Sequence, residues 1–141
     1  MSVVRSIMHR QKPKQKQSSL IRQQRGLVAY TDGLTAEGIV KAACLQDGWS
    51  ILQERAKTLR GEIDLVVRKD KIICFIEVKK RKTLTAAAEC LTQKQQTRLY
   101  RAAECLLAQH PEWIYDELRF DLFMIDQQQE IAWIKDIIRQ M

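Results

Sequence analysis

The stretch Gly61-Glu62-Ile63-Asp64-Leu65-Val66-Val67-Arg68-Lys69-Asp70-Lys71-Ile72-Ile73-Cys74-Phe75-Ile76-Glu77-Val78-Lys79 decides how this chain is read. Two runs rich in Ile, Val, Leu and Phe, Glu62 to Arg68 and Ile72 to Lys79, are separated by Lys69, Asp70 and Lys71. This is the pattern of two strands joined by a tight hairpin. With Asp70 and Lys71 at the tip, Val66 falls opposite Phe75, Asp64 opposite Glu77 and Glu62 opposite Lys79, and all six side chains share one face. The other face reads Ile63, Leu65 and Val67 against Ile72, Cys74, Ile76 and Val78, apolar throughout, and is expected to be core. On the first face Val66, Ile73 and Phe75 continue the apolar character near the turn, whereas the far end collects Glu62, Asp64, Glu77 and Lys79.

Directly opposed side chains on paired strands stand about 5 Å apart, where like charges destabilise the pairing. Three arrangements would offset the repulsion of Asp64 and Glu77: a divalent cation, a raised carboxyl pKa with one proton shared, or a salt bridge to a nearby base such as Lys79. Magnesium takes oxygen ligands and sits on one or two carboxylates, with waters and substrate phosphate completing its shell. Lys79, on the same face as Glu77, stands roughly 6 to 7 Å further along the strand. There it can orient or deprotonate an attacking water, or stabilise charge developing on phosphate oxygens. The bland alternative is a solvent-facing sheet end with ordinary ion pairs, and spacing alone leaves it open.

Working outward, Thr35 is a good N-cap, and Ala36, Ile39, Val40 and Ala43 recur at helical spacing before Gly48, which predicts a helix from Ala36 to Gln46. Trp49 to Gln53 reads as a short first strand ahead of the hairpin. Leu91 to Gln109 carries Leu99, Ala102, Ala103, Leu106 and Leu107 at helical spacing and ends against Pro111, a second helix. Leu118 to Ile125 reads as a strand, Ile131 to Ile134 as a further one, and Asp136 to Gln140 as a closing helical turn. The order α-β-β-β-α-β, with a long helix between two strands, predicts an α/β fold with a mixed sheet flanked by helices.

The chain has 141 residues, enough for one ordinary domain and too few for two independent cores. A composition 45% hydrophobic and 29% charged is globular. No apolar run is long enough to span a bilayer and no secretory signal is evident, so a soluble, cytoplasmic protein is expected. The formal charge of +7 sits in the first 31 residues, where Arg5, Arg10, Lys12, Lys14, Lys16, Arg22 and Arg25 face no acid. Residues 1–31 are therefore expected to be a disordered basic tail, and residues 32–141 the folded domain. The tail reads as a solvated arm, as a phosphate-seeking arm or as a transit peptide. Cys44, Cys74, Cys90 and Cys105 stand singly among apolar neighbours, with no metal-ligand spacing, and read as reduced core thiols. Trp49, Trp113 and Trp133 are scattered outside the basic segments and read as packing residues rather than a base-stacking platform.

The hairpin motif Gly61-Glu62-Ile63-Asp64-Leu65-Val66 followed by Phe75-Ile76-Glu77-Val78-Lys79 resembles the bipartite signature of the PD-(D/E)xK nucleases, which include restriction endonucleases and Holliday-junction resolvases. Gly33 with Ala36-Glu37, Gly48 with Trp49, Lys94 with Arg98, Ala102-Ala103, Arg119-Phe120-Asp121 and Ala132-Trp133-Ile134 are similar, in order and spacing, to the bacterial YraN family of uncharacterised endonuclease-like proteins. The resemblance implies a restriction-endonuclease-like fold and a phosphodiesterase site dependent on Mg²⁺ or Mn²⁺. By the same resemblance, Asp64 and Glu77 would hold the metal, Lys79 would be the catalytic lysine, and Glu37 would supplement the site. Ile63 stands where the superfamily name has proline.

Around this set, Glu62 is read as the partner that holds Lys79. Lys80, Arg81 and Lys82 form a basic run leaving the site, where a phosphate backbone would lie. Lys94 and Arg98, on the polar side of the second helix, are further nucleic-acid candidates. Arg119 and Asp121 share a strand face and would pair with each other or with the site lysines. Two functions follow: an endonuclease that hydrolyses DNA phosphodiesters, branched DNA being implied only by resemblance, or a non-catalytic nucleic-acid-binding module with a vestigial site. A homodimer is likewise implied only by resemblance.

Overall fold

The computed structural model describes residues 35–84 and 91–138. The expected basic tail, 1–31, and Cys90 lie outside them. The first helix, α1, spans Ala36–Gln46, and the Thr35 hydroxyl accepts the Gly38 amide at 3.0 Å. Such a cap contributes about 1 kcal/mol. It also occupies the amide of Gly38, so a glycine inside the first turn does not disturb the helix start. α1 buries Ala36, Val40 and Cys44 against the sheet. A salt bridge of 2.8 Å from Lys41 to Glu54 ties its outer side to the first strand.

The strands are β1, Ser50–Thr58; β2, Gly61–Lys69; β3, Ile72–Lys80; β4, Glu117–Ile125; and β5, Ile131–Ile134. They form one sheet in the order β1-β2-β3-β4-β5, antiparallel except for the parallel pair β3–β4. The second helix, α2, spans Gln93–Gln109 and supplies the crossover a parallel pair requires. It opens on a capping box in which Thr92 and Gln95 satisfy each other's amides. The result is the expected α/β architecture, a central mixed sheet between two helices, in the order α-β-β-β-α-β with β5 added at the edge. Of the expected core thiols, Cys44 and Cys74 are buried, and burial pushes the Cys74 thiol well up.

Each face of the sheet has its own core. Val40 and Cys44 of α1 pack on Leu65, Val67, Cys74, Ile76, Phe123 and Trp133, whereas Leu99, Ala102 and Leu106 of α2 pack on Val66, Ile73, Phe75 and Phe120. Complete burial of a side chain the size of Leu or Phe stabilises by about 1.5 to 3 kcal/mol, so both helices are held mainly by these contacts.

Four expectations need correction. β1 does not stop near Gln53 but runs to Thr58, because as an edge strand it needs only β2 to satisfy its backbone, and Ala56 is the one residue of its second half that is buried. Ile63 does not share the α1 face with Leu65 but packs with Val66 in the α2 core. The β1–β2 ladder carries an irregularity between Ile51 and Gln53, and Arg55 has a left-handed φ of 50°. The β2–β3 ladder ends at Leu65↔Ile76, one pair short of Asp64 and Glu77 and well short of Glu62 and Lys79. Finally, 136–138 make no helical turn: the Asp136 amide donates to the Asp121 carboxylate at 2.9 Å and the Ile137 amide to the Phe120 carbonyl at 2.7 Å, which lays the chain back along β4. Residues 139 and 140 lie outside the described residues.

Candidate active site

The end of the ladder creates the site. Beyond Leu65↔Ile76 the β2 and β3 backbones no longer bond each other, and the Asp64 side chain takes over, its Oδ2 accepting the Val78 amide at 2.8 Å. This bond fixes one oxygen of Asp64 and leaves its carboxyl close enough to that of Glu77 for each to act on the other's titration. Two carboxyls so placed are offset by a shared proton, a cation or a nearby base. Burial pushes Asp64 above the usual carboxylate range, the Val78 amide pulls against it, and Glu37 on α1 adds repulsion. Glu77 is raised by burial first and by Asp64 second. Lys79 Nζ lies 3.1 Å from Glu77 Oε2, with side-chain exposures of 22% and 21%. Both ends of that pair are therefore sheltered yet reachable from solvent.

The expected constellation of Asp64, Glu77 and Lys79 is thus gathered, with Glu37 within electrostatic reach. Glu62 is not: it stands exposed opposite Lys57 of β1, because the β2–β3 ladder does not extend to it, and Lys79 takes Glu77 as its partner instead. Lys80, Arg81 and Lys82 leave the strand end exposed and border an open groove of about 430 Å³ floored by Ala36, Ile39 and Ile125. Lys94 and Arg98 are exposed on α2, and neither is among the groups that act on the carboxyl pair. Arg119 and Asp121 pair with each other rather than with the site lysines. The Asp121 carboxylate, 0% exposed, accepts Arg119 Nε at 3.1 Å and Nη2 at 2.9 Å, Trp133 Nε1 at 2.8 Å and the Asp136 amide. That network anchors β4, β5 and the returning chain, and it is structural.

Asp64 and Glu77 are the residues able to hold a divalent cation. The donor set is all oxygen and anionic, as a hard cation requires, and a pair raised by burial and mutual repulsion is one that a cation would relieve. Among the described residues no group of three or more His, Cys, Asp and Glu forms a protein-only cage. Mg²⁺ is usually bound through one or two carboxylates, with waters and substrate phosphate completing its shell.

A mixed sheet in this order, with two neighbouring carboxyls and a lysine at the open end of its hairpin, defines an α/β protein with a carboxylate–lysine site. Residues 36–125 match the model of the uncharacterised protein family UPF0102, and the chain belongs to that family. It is 43% identical over 115 residues to a UPF0102 protein of Granulibacter bethesdensis, covering 82% of this chain and 73% of that one. It is 42% identical over 99 residues to one of Rhodopseudomonas palustris, covering 70% and 76%. Among solved structures, an XisH family protein from Nostoc punctiforme is similar with a TM-score of 0.41 and 16% identity, over 70% of this chain and 98% of that one. No helix among the described residues is long and apolar enough to cross a membrane.

Proposed function

We propose that the protein is a metal-dependent endonuclease that hydrolyses DNA phosphodiester bonds, with Asp64 and Glu77 holding Mg²⁺ or Mn²⁺ and Lys79 acting beside them. The observation that carries this reading is the pair of partly buried carboxyls, Asp64 and Glu77, at the ladder's end beside Lys79. A fold gains nothing in stability from two burial-raised carboxyls in contact, whereas a cation site needs them. When bound, the ion would polarise the scissile phosphate and lower the pKa of a coordinated water. The residues' own part begins with the Val78 amide, which fixes the Asp64 carboxyl. Glu77 holds Lys79 Nζ at 3.1 Å, where the ammonium can orient a water or meet charge developing on a phosphate oxygen. Lys80, Arg81 and Lys82 carry the backbone away from the site.

A non-catalytic nucleic-acid-binding module is the second reading, favoured by the exposure of Lys80, Arg81 and Lys82, which need no carboxylate to bind phosphate. Labelled single-stranded, duplex and four-way-junction DNA incubated with Mg²⁺, Mn²⁺ or EDTA separates the two. Metal-dependent cutting by the protein but not by Asp64→Ala supports the endonuclease. Equal retardation of DNA by both proteins with no cutting by either supports the binding module.

A further inference from the structure

The hairpin joining β1 to β2 carries a feature that the carboxylate site does not use. Its tip is the two-residue turn Leu59-Arg60, closed by the pair Thr58↔Gly61. Thr58 Oγ1 donates to the Gly61 carbonyl at 2.8 Å and accepts the Arg60 amide at 3.0 Å. Gly61 has a φ of 144°, and a Cβ there would meet Arg98 Cγ of α2 at 3.2 Å. The tip is therefore fixed from inside and braced against α2. From this fixed apex Leu59 projects with 98% of its surface exposed.

An exposed leucine alone means little; its setting is what is informative. Among the described residues the other large exposed apolar side chains are Leu45, at the end of α1 that leads to the start of β1, and Ile114 and Tyr115, which adjoin the chain bonded to Lys71 at the β2–β3 turn, so all three lie at the opposite end of the sheet. Leu59 is at the end that carries the site. β2 starts at Gly61 and β3 finishes at Lys80, so the tip and the Lys80–Lys82 run flank the gap in which Asp64, Glu77 and Lys79 stand. Gly61 to Asp64 is about 10 Å of strand. Residues 55–62 carry Arg55, Lys57 and Arg60 against one acid, Glu62, and Arg98 adds a further cation beside Gly61. A rigid turn that holds one aliphatic side chain among cations, a few residues from a phosphodiester site, has the chemistry of an unstacking wedge. The cations bind backbone phosphates, and the apolar side chain enters between bases.

We propose that Leu59 inserts between stacked bases on the side of the site where Asp64 and Glu77 stand, with Arg60 and Arg98 on the flanking phosphates. The preferred substrate would then be a duplex whose stacking is already weakened, at a nick, mismatch or branch. This rests on the nucleic-acid reading of the site but not on catalysis, so the test is run without cleavage. The full chain is titrated, in EDTA, with duplex and nicked DNA carrying 2-aminopurine at the proposed step. The wild type should raise the fluorescence several-fold on binding. Leu59→Ala should bind within about three-fold of wild type yet lose most of the rise, and Leu59→Phe should restore it. Equal fluorescence with Leu59→Ala and wild type overturns the wedge while leaving the endonuclease reading intact. A Leu59-dependent rise in a protein that never cuts DNA supports the wedge and counts against catalysis. DNA bound with no rise by any variant, or no binding of DNA at all, also overturns the wedge.

Discussion

Asp64→Asn should make the protein more stable. The substitution keeps an oxygen to accept the Val78 amide, bonded at 2.8 Å in the wild type, and removes only the charge that Asp64 places against Glu77. Two unit charges about 4 Å apart repel by about 4 kcal/mol at an effective dielectric of about 20. Lys79, 3.1 Å from Glu77, and the partial exposure of the site cancel most of this. About 1 kcal/mol remains, the range for like charges opposed across strands. The sign follows from the direction of the shifts. Both carboxyls titrate above their usual range, so the folded state holds more protons than the unfolded chain there, and the wild type loses stability as pH rises through the raised values. Below the usual carboxylate range the variant and the wild type should be alike. By about pH 8 the variant should unfold at a higher urea concentration and melt about 4 °C later. Glu62→Gln, exposed opposite Lys57, should change nothing. If Asp64→Asn is instead destabilised by about 1 kcal/mol or more at pH 8, the carboxylate is a structural partner of Lys79 and the reasoning fails.

Three further outcomes follow from the same geometry. Asp121→Asn should cost about 3 to 5 kcal/mol in urea unfolding, because it breaks a buried bidentate pair with Arg119 and leaves donors on Trp133 or Asp136 unmet. A loss below about 1 kcal/mol would show that the network is dispensable. Lys79→Met should bind DNA as the wild type does but cut at least about 100-fold more slowly, and an unchanged single-turnover rate would remove Lys79 from the chemistry. Replacing Lys80, Arg81 and Lys82 together by Ala should reduce the slope of log affinity against log salt by up to about 3; an unchanged slope would place the phosphates elsewhere.

Much of this was legible in the sequence where local patterns decide structure. The Asp70-Lys71 tip, the Val66↔Phe75 pair, the Thr35 cap and the faces of both helices all depend on spacing and turn chemistry within a few residues. What escaped depends on tertiary context. Gln53 to Thr58 are too polar to read as strand and become one because β2 supplies their ladder. Ile63 packs in the other core from Leu65, a change no alternation rule foresees. That Asp64 and Glu77 come near each other was foreseeable from the hairpin register. The early end of the ladder was not, since it comes from a side chain replacing a backbone acceptor at Val78, and it separates Glu62 from Lys79. Ending β1 at Gln53 also hid the Leu59 tip. Asp121 draws its partners from Trp133 and Asp136, twelve and fifteen residues away, which no local pattern links to it.

The central claim is that Asp64 and Glu77 exist to hold a cation beside a phosphate, and the most direct test counts that cation. Electron paramagnetic resonance of Mn²⁺, titrated into the protein with DNA made uncleavable by phosphorothioate substitution, measures ions bound per chain. The wild type should bind Mn²⁺ at this site, Asp64→Asn and Glu77→Gln should lose it, and Glu62→Gln should keep it. Equal Mn²⁺ binding by the wild type and Asp64→Asn, or no binding by the wild type, would contradict the account.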